Sequence, residues 1–113
     1  MLPRPQRLHT QRHFTTVWRR GRARRGKLLT IRLAPTDRDA QPRFGFVVSK
    51  AAAKRANVRN LVKRRLRHLV KDLRLPAADI VIYANQAATT ATYAELQAEL
   101  QNLLTFRHAP PHR

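Results

Sequence analysis

The longest periodic segment of the chain is residues 49–74, in which apolar side chains recur every three or four positions from Val58 onward. This spacing predicts an amphipathic helix with one face in the core. The predicted apolar face consists of Val58, Leu61, Val62, Leu66, Leu69, Val70 and Leu73. The predicted opposite face is almost wholly cationic and consists of Arg59, Asn60, Lys63, Arg64, Arg67 and Lys71. Because like charges repel each other, this face favours a polyanionic partner over plain exposure to solvent.

A basic, alanine-rich segment, residues 49–57, leads into this helix. Lys50, Lys54 and Arg55 add positive charge to it. Asn57 has a short side chain that can accept a hydrogen bond from an unpaired backbone N–H, so we expect it to cap the helix. The segment is predicted to be a basic loop or a short crossover between a strand and the helix.

Shorter segments before the helix have the pattern of strands. Residues 27–34 and 43–48 both alternate between apolar and other side chains, which predicts strands with one packed face. A polar turn region joins them, so we expect an antiparallel pair. Arg32 and Arg43 are predicted to lie on or beside its open face. Residues 22–25 are expected to add a short strand before this pair.

The clearest pattern of a buried strand is residues 79–84, which follow the long helix. A strand, a long helix and a second strand in succession are typical of a parallel βαβ unit. We therefore expect residues 79–84 to run parallel to residues 43–48. The small residues at 85–92 are predicted to form a loop.

A first helix is predicted over about residues 11–20, capped by Thr10 and closed by Gly21. Its apolar stripe consists of Phe14, Val17 and Trp18. These side chains either belong to the core or border a groove in which a nucleic-acid base stacks.

A last helix is predicted over residues 93–104, with a capping box formed by Thr92 and Glu95. Its predicted core residues are Tyr93, Leu96, Leu100, Leu103 and Leu104. The proline-containing segments 1–9 and 105–113 are expected to be flexible. With no repeat and no long linker, residues 1–113 are predicted to form a single domain.

The charge balance narrows the range of partners. Among 113 residues there are 24 Lys and Arg against 6 Asp and Glu, for a formal net charge of +18. Such a charge favours nucleic acid over a membrane surface as the partner. A hydrophobic content of 42% is enough for a folded core. There is no cysteine, and no apolar run approaches the roughly 18 residues of a membrane span, so we expect a soluble cytoplasmic protein.

The chain lacks the side-chain groupings of a protein active site. Its six carboxylates are scattered and form no paired acid and base or metal cluster. Its five histidines have no ligand spacing combined with an acid, and its three glycines form no phosphate-binding loop. If hydrolysis is involved, its chemistry is expected to belong to a partner.

Four sequence blocks over roughly residues 7–104 resemble the protein subunit of bacterial ribonuclease P. The blocks are Arg7-Leu8 with Phe14-x-x-Val17-Trp18-Arg19-Arg20-Gly21; Arg43-Phe44-Gly45-Phe46-Val47-Val48-Ser49-Lys50; Asn57-Val58-Arg59-Asn60-x-x-Lys63-Arg64-x-x-Arg67; and Asp79-Ile80-Val81-Ile82-Tyr83-Ala84. The third block is the most specific. It departs from the family at Leu61, where a third basic residue is usual, and Arg65 one turn later is expected to substitute in part by extending outward. Trp18 stands where the family often has Phe.

The resemblance implies an α+β two-layer sandwich, with a central mixed sheet of about four strands and three helices. It also implies a left-handed βαβ crossover, whereas packing rules alone favour a right-handed one. The implied partners are a large catalytic RNA, with one protein per RNA, and precursor tRNA as the substrate. Mg²⁺ ions bound by that RNA would hydrolyse the phosphodiester, so the resemblance implies no catalytic residue and no metal site in this chain.

Two groups of site residues follow from the resemblance, position by position. The residues expected to contact the catalytic RNA are Lys50, Lys54, Asn57, Arg59, Asn60, Lys63, Arg64 and Arg67. The residues expected to line a cleft for the single-stranded 5′ leader are Phe14, Trp18 and Arg32. From charge alone, a structural RNA-binding protein such as a ribosomal protein, or a non-specific DNA-binding protein, remains an alternative.

Overall fold

The computed structural model describes residues 17–19, 21–35, 42–71 and 78–104. Residues 17–19 are helical and precede the first strand. The strands are β1 (Arg22–Arg25), β2 (Leu29–Pro35), β3 (Arg43–Val48) and β4 (Ala78–Ala84). The helices are α1 (Ala56–Lys71), a short 3₁₀ helix (Gln86–Thr89) and α2 (Tyr93–Leu104). The α+β prediction is confirmed, including the short strand at residues 22–25. The predicted loop at residues 85–92 contains the 3₁₀ helix.

The four strands form one mixed sheet in the order β1-β2-β4-β3. β4 pairs antiparallel with β2 and parallel with β3, which confirms the predicted parallel relation between the strands on either side of α1. The expectation that β2 and β3 pair directly with each other is wrong, because β4 lies between them. A strand that is apolar on both faces is best buried in the middle of a sheet, and Ile80, Val81 and Ile82 are all fully buried. The hand of the crossover stays a prediction.

The large hydrophobic core lies between one face of the sheet and the two long helices. From the sheet it includes Leu29, Ile31, Leu33, Phe44, Val48, Ile80 and Ile82. From the helices it includes Val62, Leu66, Leu69, Val70, Leu96, Leu100, Leu103 and Leu104. Among the described residues, the other face of the sheet carries a smaller cluster of three buried residues, Val17, Ala34 and Val81. As far as the described residues go, the sheet therefore has one packed and one partly open face, in line with the predicted alternation.

The two long helices begin differently from each other. In α2 the predicted capping box is confirmed, since the Thr92 N–H donates to Glu95 Oε1 (2.8 Å) and the Glu95 N–H donates to Thr92 Oγ1 (3.1 Å). α1 begins at Ala56, so Asn57 lies inside the first turn and the prediction that it caps the helix is wrong. The first α-helical backbone hydrogen bond of that helix is donated by the Arg59 N–H to the Arg55 carbonyl oxygen.

Gly21 closes the helical segment at residues 17–19, because its N–H donates to Val17 O (2.7 Å). A Cβ at this position would collide with that same carbonyl, so the tight closure favours glycine. The Thr10 cap, Phe14, most of the first helix, Leu73 and both chain ends lie outside the described residues. Within the described residues, no helix is both long and apolar enough to cross a membrane.

Candidate nucleic-acid interface

Helix α1 turns its buried residues, Val62, Leu66, Leu69 and Val70, toward the sheet. On a wheel of about 100° per residue, these centre the buried face about 65° away from Val58. The periodicity predicted Leu61 on the buried face, and this prediction is wrong, because the side chain is 39% exposed. The most exposed strip of the helix consists of Asn60, Leu61, Arg64, His68 and Lys71. Leu61 thus lies among the cations, at the position where the family usually has a third basic residue.

One flank of α1, formed by Arg59, Lys63 and Arg67, is only half-exposed and borders the preceding loop and β3. Arg59 Nη1 donates to the carbonyl oxygens of Ala53 (2.9 Å) and Lys54 (2.8 Å). The Arg67 guanidinium lies 5.8 Å from the centre of the Phe46 ring, a cation–π distance. Arg59 and Arg67 are oriented by these contacts, so they lose less side-chain entropy when they bind a phosphate.

The loop before α1 is tied to the helix through the same Arg59 side chain. The Ser49 carbonyl accepts from the N–H groups of Ala52 (3.1 Å) and Ala53 (3.0 Å), which makes a compact turn. Ala53 is buried, whereas Lys50 and Lys54 are exposed. The loop is therefore anchored by its backbone, with its ammonium groups in solvent.

The eight residues predicted to contact the catalytic RNA all lie on this loop or on α1, and each is exposed or half-exposed. We call them the basic surface: Lys50, Lys54, Asn57, Arg59, Asn60, Lys63, Arg64 and Arg67. Lys71 continues the same exposed side of the helix. Arginine forks and lysine heads in such an array suit the spacing of phosphates along a nucleic-acid backbone.

The other flank of α1 faces α2 and the segment before it. Arg65 Nη1 donates to the Ala91 carbonyl (3.3 Å), so its side chain leans away from the exposed strip. This contact does not support the expectation that Arg65 substitutes for the basic residue that the family usually has at the position of Leu61. His68 and Tyr93 approach each other with ring centres 6.2 Å apart. Tyr93 is 39% exposed, so its assignment to the core is wrong.

A second surface is an open cleft of about 400 Å³ on the sheet face away from α1. We call it the cleft, and its lining consists of Trp18, Ala23, Arg25, Gly26, Thr30, Arg32, Tyr83 and Asn85. Its floor follows from strand register, because Arg25, Thr30 and Tyr83 are successive cross-strand neighbours on β1, β2 and β4. Ala23 and Arg32 form the next such pair.

Trp18 and Arg32 form the most distinctive contact in the cleft. The Arg32 guanidinium lies 4.0 Å from the centre of the Trp18 ring, and its Nη1 donates to the Trp18 carbonyl (3.1 Å). Trp18 nevertheless remains 59% exposed. A large aromatic surface backed by a fixed cation can stack on an unpaired base while the charge attracts the neighbouring phosphate.

Tyr83 completes this aromatic group from the central strand. Its ring packs edge-on against Trp18, with centres 6.5 Å apart and planes inclined by 71°. Partial burial raises the pKa of the Tyr83 hydroxyl above its usual value, since the phenolate loses solvation, and the positive charge of Arg32 opposes this rise. The hydroxyl is therefore neutral at physiological pH and can both donate and accept a hydrogen bond.

The sequence could not tell which aromatic side chains face the cleft. Phe44 is buried in the large core, and Phe46 packs against that core beneath Arg67, so neither lies in the cleft. Trp18 does, while Phe14 lies outside the described residues. Sequence reasoning missed Tyr83, although the alternation of β4 places it opposite Thr30, on the same face as Arg32.

The described carboxylates are all engaged inside the fold. Asp79 accepts two hydrogen bonds from Arg43, at 2.9 Å from Nε and 2.8 Å from Nη2. The hydrogen bonding to Asp79 raises the pKa of Arg43, against the opposing effect of burial. Glu95 caps α2, and Glu99 accepts from backbone N–H groups at residues 27–29. In this part of the chain, no group of three or more His, Asp or Glu side chains is arranged to hold a metal ion.

The comparisons with known proteins agree on one family. A family model described as Ribonuclease P matches residues 2–107. The ribonuclease P protein component of Beutenbergia cavernae is 43% identical over 109 residues, covering 93% of this chain and 90% of that protein. The corresponding protein of Streptomyces griseus is 42% identical over 116 residues, covering 92% of this chain and 93% of that protein.

Solved structures show the same fold. The Staphylococcus aureus RNase P protein superposes with a TM-score of 0.82 at 24% identity, over 90% of this chain and 94% of that one. The Thermotoga maritima RNase P protein gives a TM-score of 0.77 at 23% identity, over 87% of this chain and 94% of that one. Since the family model and close relatives both span nearly the whole sequence, the chain belongs to the ribonuclease P protein family, whose role is the maturation of the 5′ end of tRNA.

Proposed function

We propose that the chain binds two RNA segments at once, on opposite faces of its sheet. The basic surface contacts the catalytic RNA of ribonuclease P. The cleft, which contains Trp18 and Arg32 and has Phe14 as a further predicted wall, holds the single-stranded 5′ leader of precursor tRNA. The protein would thereby hold the leader beside the RNA that cleaves it.

The observation that carries this proposal is the exposed Trp18 ring in contact with Arg32. Trp18 is 59% exposed although its ring contacts Arg32 and packs edge-on against Tyr83, so part of its aromatic surface is open to a ligand. Stacking on an unpaired base suits such a ring, because every base has an aromatic face and no sequence is required. A leader whose sequence varies between tRNAs is the kind of ligand that this chemistry accepts.

The basic surface suits a different kind of RNA. Its cations are spaced along a rigid helix and a short anchored loop, without an exposed aromatic ring among its eight members. Such an array matches the phosphate backbone of a folded RNA of fixed shape. Asn57 and Asn60 can donate and accept, so they can contact sugars or base edges between the phosphates.

We further propose that this chain supplies no catalytic group and that the RNA partner carries out the hydrolysis. In support, Asp79, Glu95 and Glu99 are each committed to a structural hydrogen bond rather than aimed into the cleft. The Mg²⁺ ions of the reaction would be bound by the RNA. One protein per RNA, a cytoplasmic location and a single RNA-binding domain complete the proposal.

Precursor-tRNA cleavage at low Mg²⁺ tests this function. The catalytic RNA alone is compared with the RNA plus this protein, using a substrate with a leader of several nucleotides and one with a single leader nucleotide. We expect the protein to increase the cleavage rate and to favour the long leader. A protein that binds the catalytic RNA without any leader-dependent gain would contradict the cleft assignment, and no gain with either substrate would contradict the whole function.

A further inference from the structure

The turn that leads from β1 into the first residue of β2, residues 26–29, contributes Gly26 to the cleft wall and is held by α2. Glu99 of α2 accepts three backbone hydrogen bonds from this turn. Oε1 accepts from Lys27 N (3.0 Å), and Oε2 accepts from Leu28 N (2.7 Å) and Leu29 N (2.6 Å). Three converging N–H groups form a concave site for an anion, and here the protein fills it with its own carboxylate.

Gly26 brings this carboxylate close to the cleft. Gly26 lines the cleft, and a Cβ at this position would lie about 2.5 Å from the Glu99 carboxylate. Only a residue without a side chain lets Glu99 reach the three amides. The Glu99 carboxylate therefore lies directly behind the cleft wall without being part of its lining.

Asn85, which lines the cleft, holds the same turn from the other side. Its Nδ2 donates to Lys27 O (2.6 Å), and its backbone N–H donates to Leu28 O (3.0 Å). Glu99 thus binds the N–H groups of the turn, while Asn85 binds its carbonyl groups. If the turn moved, Asn85 would lose both partners, and the adjoining Arg25 and Thr30 would shift with it.

We propose that Glu99 is a positioning residue for leader binding: its carboxylate fixes the 26–29 turn and thereby the Arg25–Asn85 end of the cleft. This inference rests on the proposed function, since it takes the cleft as the leader site. A carboxylate beside an RNA site would ordinarily repel phosphate. Its charge is offset here by the three amides, so Glu99 can stiffen the cleft at little electrostatic cost.

Leader discrimination by the reconstituted holoenzyme tests the proposal. Leader discrimination is defined as the dissociation constant for mature tRNA divided by the dissociation constant for precursor tRNA with a leader. Glu99→Gln keeps the size of the side chain but replaces one acceptor oxygen with an amide group that faces N–H donors. We expect it to lower the discrimination by about tenfold, as for a modest misplacement of a binding group. Affinity for the catalytic RNA and for mature tRNA should not change.

Glu95→Ala is the matched control. It removes an acidic residue from the same helix and breaks the hydrogen bond from the Thr92 N–H, at the start of α2 rather than at the 26–29 turn. It should lower the melting temperature and leave leader discrimination unchanged. Equal losses of discrimination in Glu95→Ala and Glu99→Gln would overturn the proposal, because both would then reflect general destabilisation.

Amide hydrogen exchange provides an independent readout in the free protein. In Glu99→Gln the amides of Lys27, Leu28 and Leu29 should exchange faster, while those of α1 stay protected. Faster exchange with unchanged discrimination would overturn the proposal. If Glu99→Gln does not assemble with the RNA, Glu99→Asp replaces it as the test variant, because aspartate keeps the charge but has a shorter side chain. We expect Glu99→Asp to assemble and to show lowered leader discrimination. Failure to assemble or normal discrimination in Glu99→Asp would overturn the proposal.

Trp18→Ala separates this inference from the proposed function. Loss of discrimination in Trp18→Ala but not in Glu99→Gln would leave the cleft as the leader site and overturn the role of Glu99. Normal discrimination in both variants would contradict the leader cleft itself.

Discussion

The basic surface and the cleft are built in opposite ways, although both are proposed to bind RNA. The basic surface comes from one continuous segment, in which loop and helix place eight residues by local geometry. The cleft draws its lining from the helical segment at residues 17–19, three strands, and the residues that follow β1 and β4. Charge on one element suits phosphates in a rigid RNA, whereas an assembled aromatic cleft suits unstacked bases. The same chain therefore separates docking from substrate binding.

Phe44→Ala should have the largest effect, because Phe44 belongs to the hydrophobic core that supports both surfaces. The Phe44 ring is 1% exposed in the core between α1 and the sheet. Its loss should lower the free energy of unfolding by about 3–5 kcal/mol. Denaturant unfolding of the free protein measures this directly. Loss of only one of the two RNA affinities, with stability intact, would contradict a common core beneath both surfaces.

Trp18→Ala should affect the cleft alone. A stacked base contributes about 1–3 kcal/mol, so affinity for leader-bearing precursor tRNA should fall by about tenfold or more. The ring is mostly exposed, so the melting temperature should change little. Binding to the catalytic RNA, measured in the same preparation, should not change, and an equal fall there would remove the distinction between the two surfaces.

Arg59→Ala and Arg64→Ala should affect the basic surface to different extents. Each removes one cation, so the slope of log affinity for the catalytic RNA against log salt should fall by about one. Arg59 also holds the loop through the carbonyls of Ala53 and Lys54, whereas Arg64 is exposed on the helix. Arg59→Ala should therefore lose more affinity than Arg64→Ala. Salt titrations with equal affinities, or with unchanged slopes, would argue against these contacts.

Leu61→Lys should strengthen RNA binding. Leu61 is 39% exposed on the same strip as Arg64, so a lysine there adds a charge without emptying the core. We expect the salt slope for the catalytic RNA to rise by about one and stability to change little. Val62→Lys is the matched control, since Val62 is 1% exposed and its replacement should unfold the protein. No gain of affinity in Leu61→Lys would mean that the RNA does not approach this strip.

The smallest expected effect is the titration of Tyr83. In Tyr93→Phe it is the only tyrosine of the chain, so phenolate absorbance reports on it alone. Its midpoint should lie above the ordinary value of 10.0, because burial disfavours the phenolate. Any stability that comes from the neutral hydroxyl is present below the ordinary pKa and is lost as pH rises through the raised one. A midpoint at or below 10.0 would contradict this, because burial would then not outweigh the opposing charge of Arg32.

Most of the basic surface could be predicted from the sequence, because helical spacing alone fixes which residues share a side. The prediction failed at Leu61, because packing centres the buried face of α1 on Val62, Leu66, Leu69 and Val70 and leaves Leu61 exposed. Arg65 shows a further limit, because its tie to Ala91 comes from a residue 26 positions away.

Little of the cleft could be predicted, because its lining depends on strand order. With β4 between β2 and β3, Tyr83 comes beside Thr30, whereas the expected direct pairing of β2 and β3 would have excluded it. The role of Glu99 was equally hidden. On its helix it resembles any exposed acid, and only the tertiary fold brings the 26–29 turn to its carboxylate.

Trp18 is the only tryptophan of the chain, so its fluorescence tests the leader cleft most directly. The protein is assembled with the catalytic RNA, excited selectively at the indole, and titrated with precursor tRNA or with mature tRNA. Stacking of a leader base on Trp18 predicts quenching by the precursor and no further change with mature tRNA. Equal responses to both RNAs would contradict the proposal that the exposed Trp18 ring binds the leader.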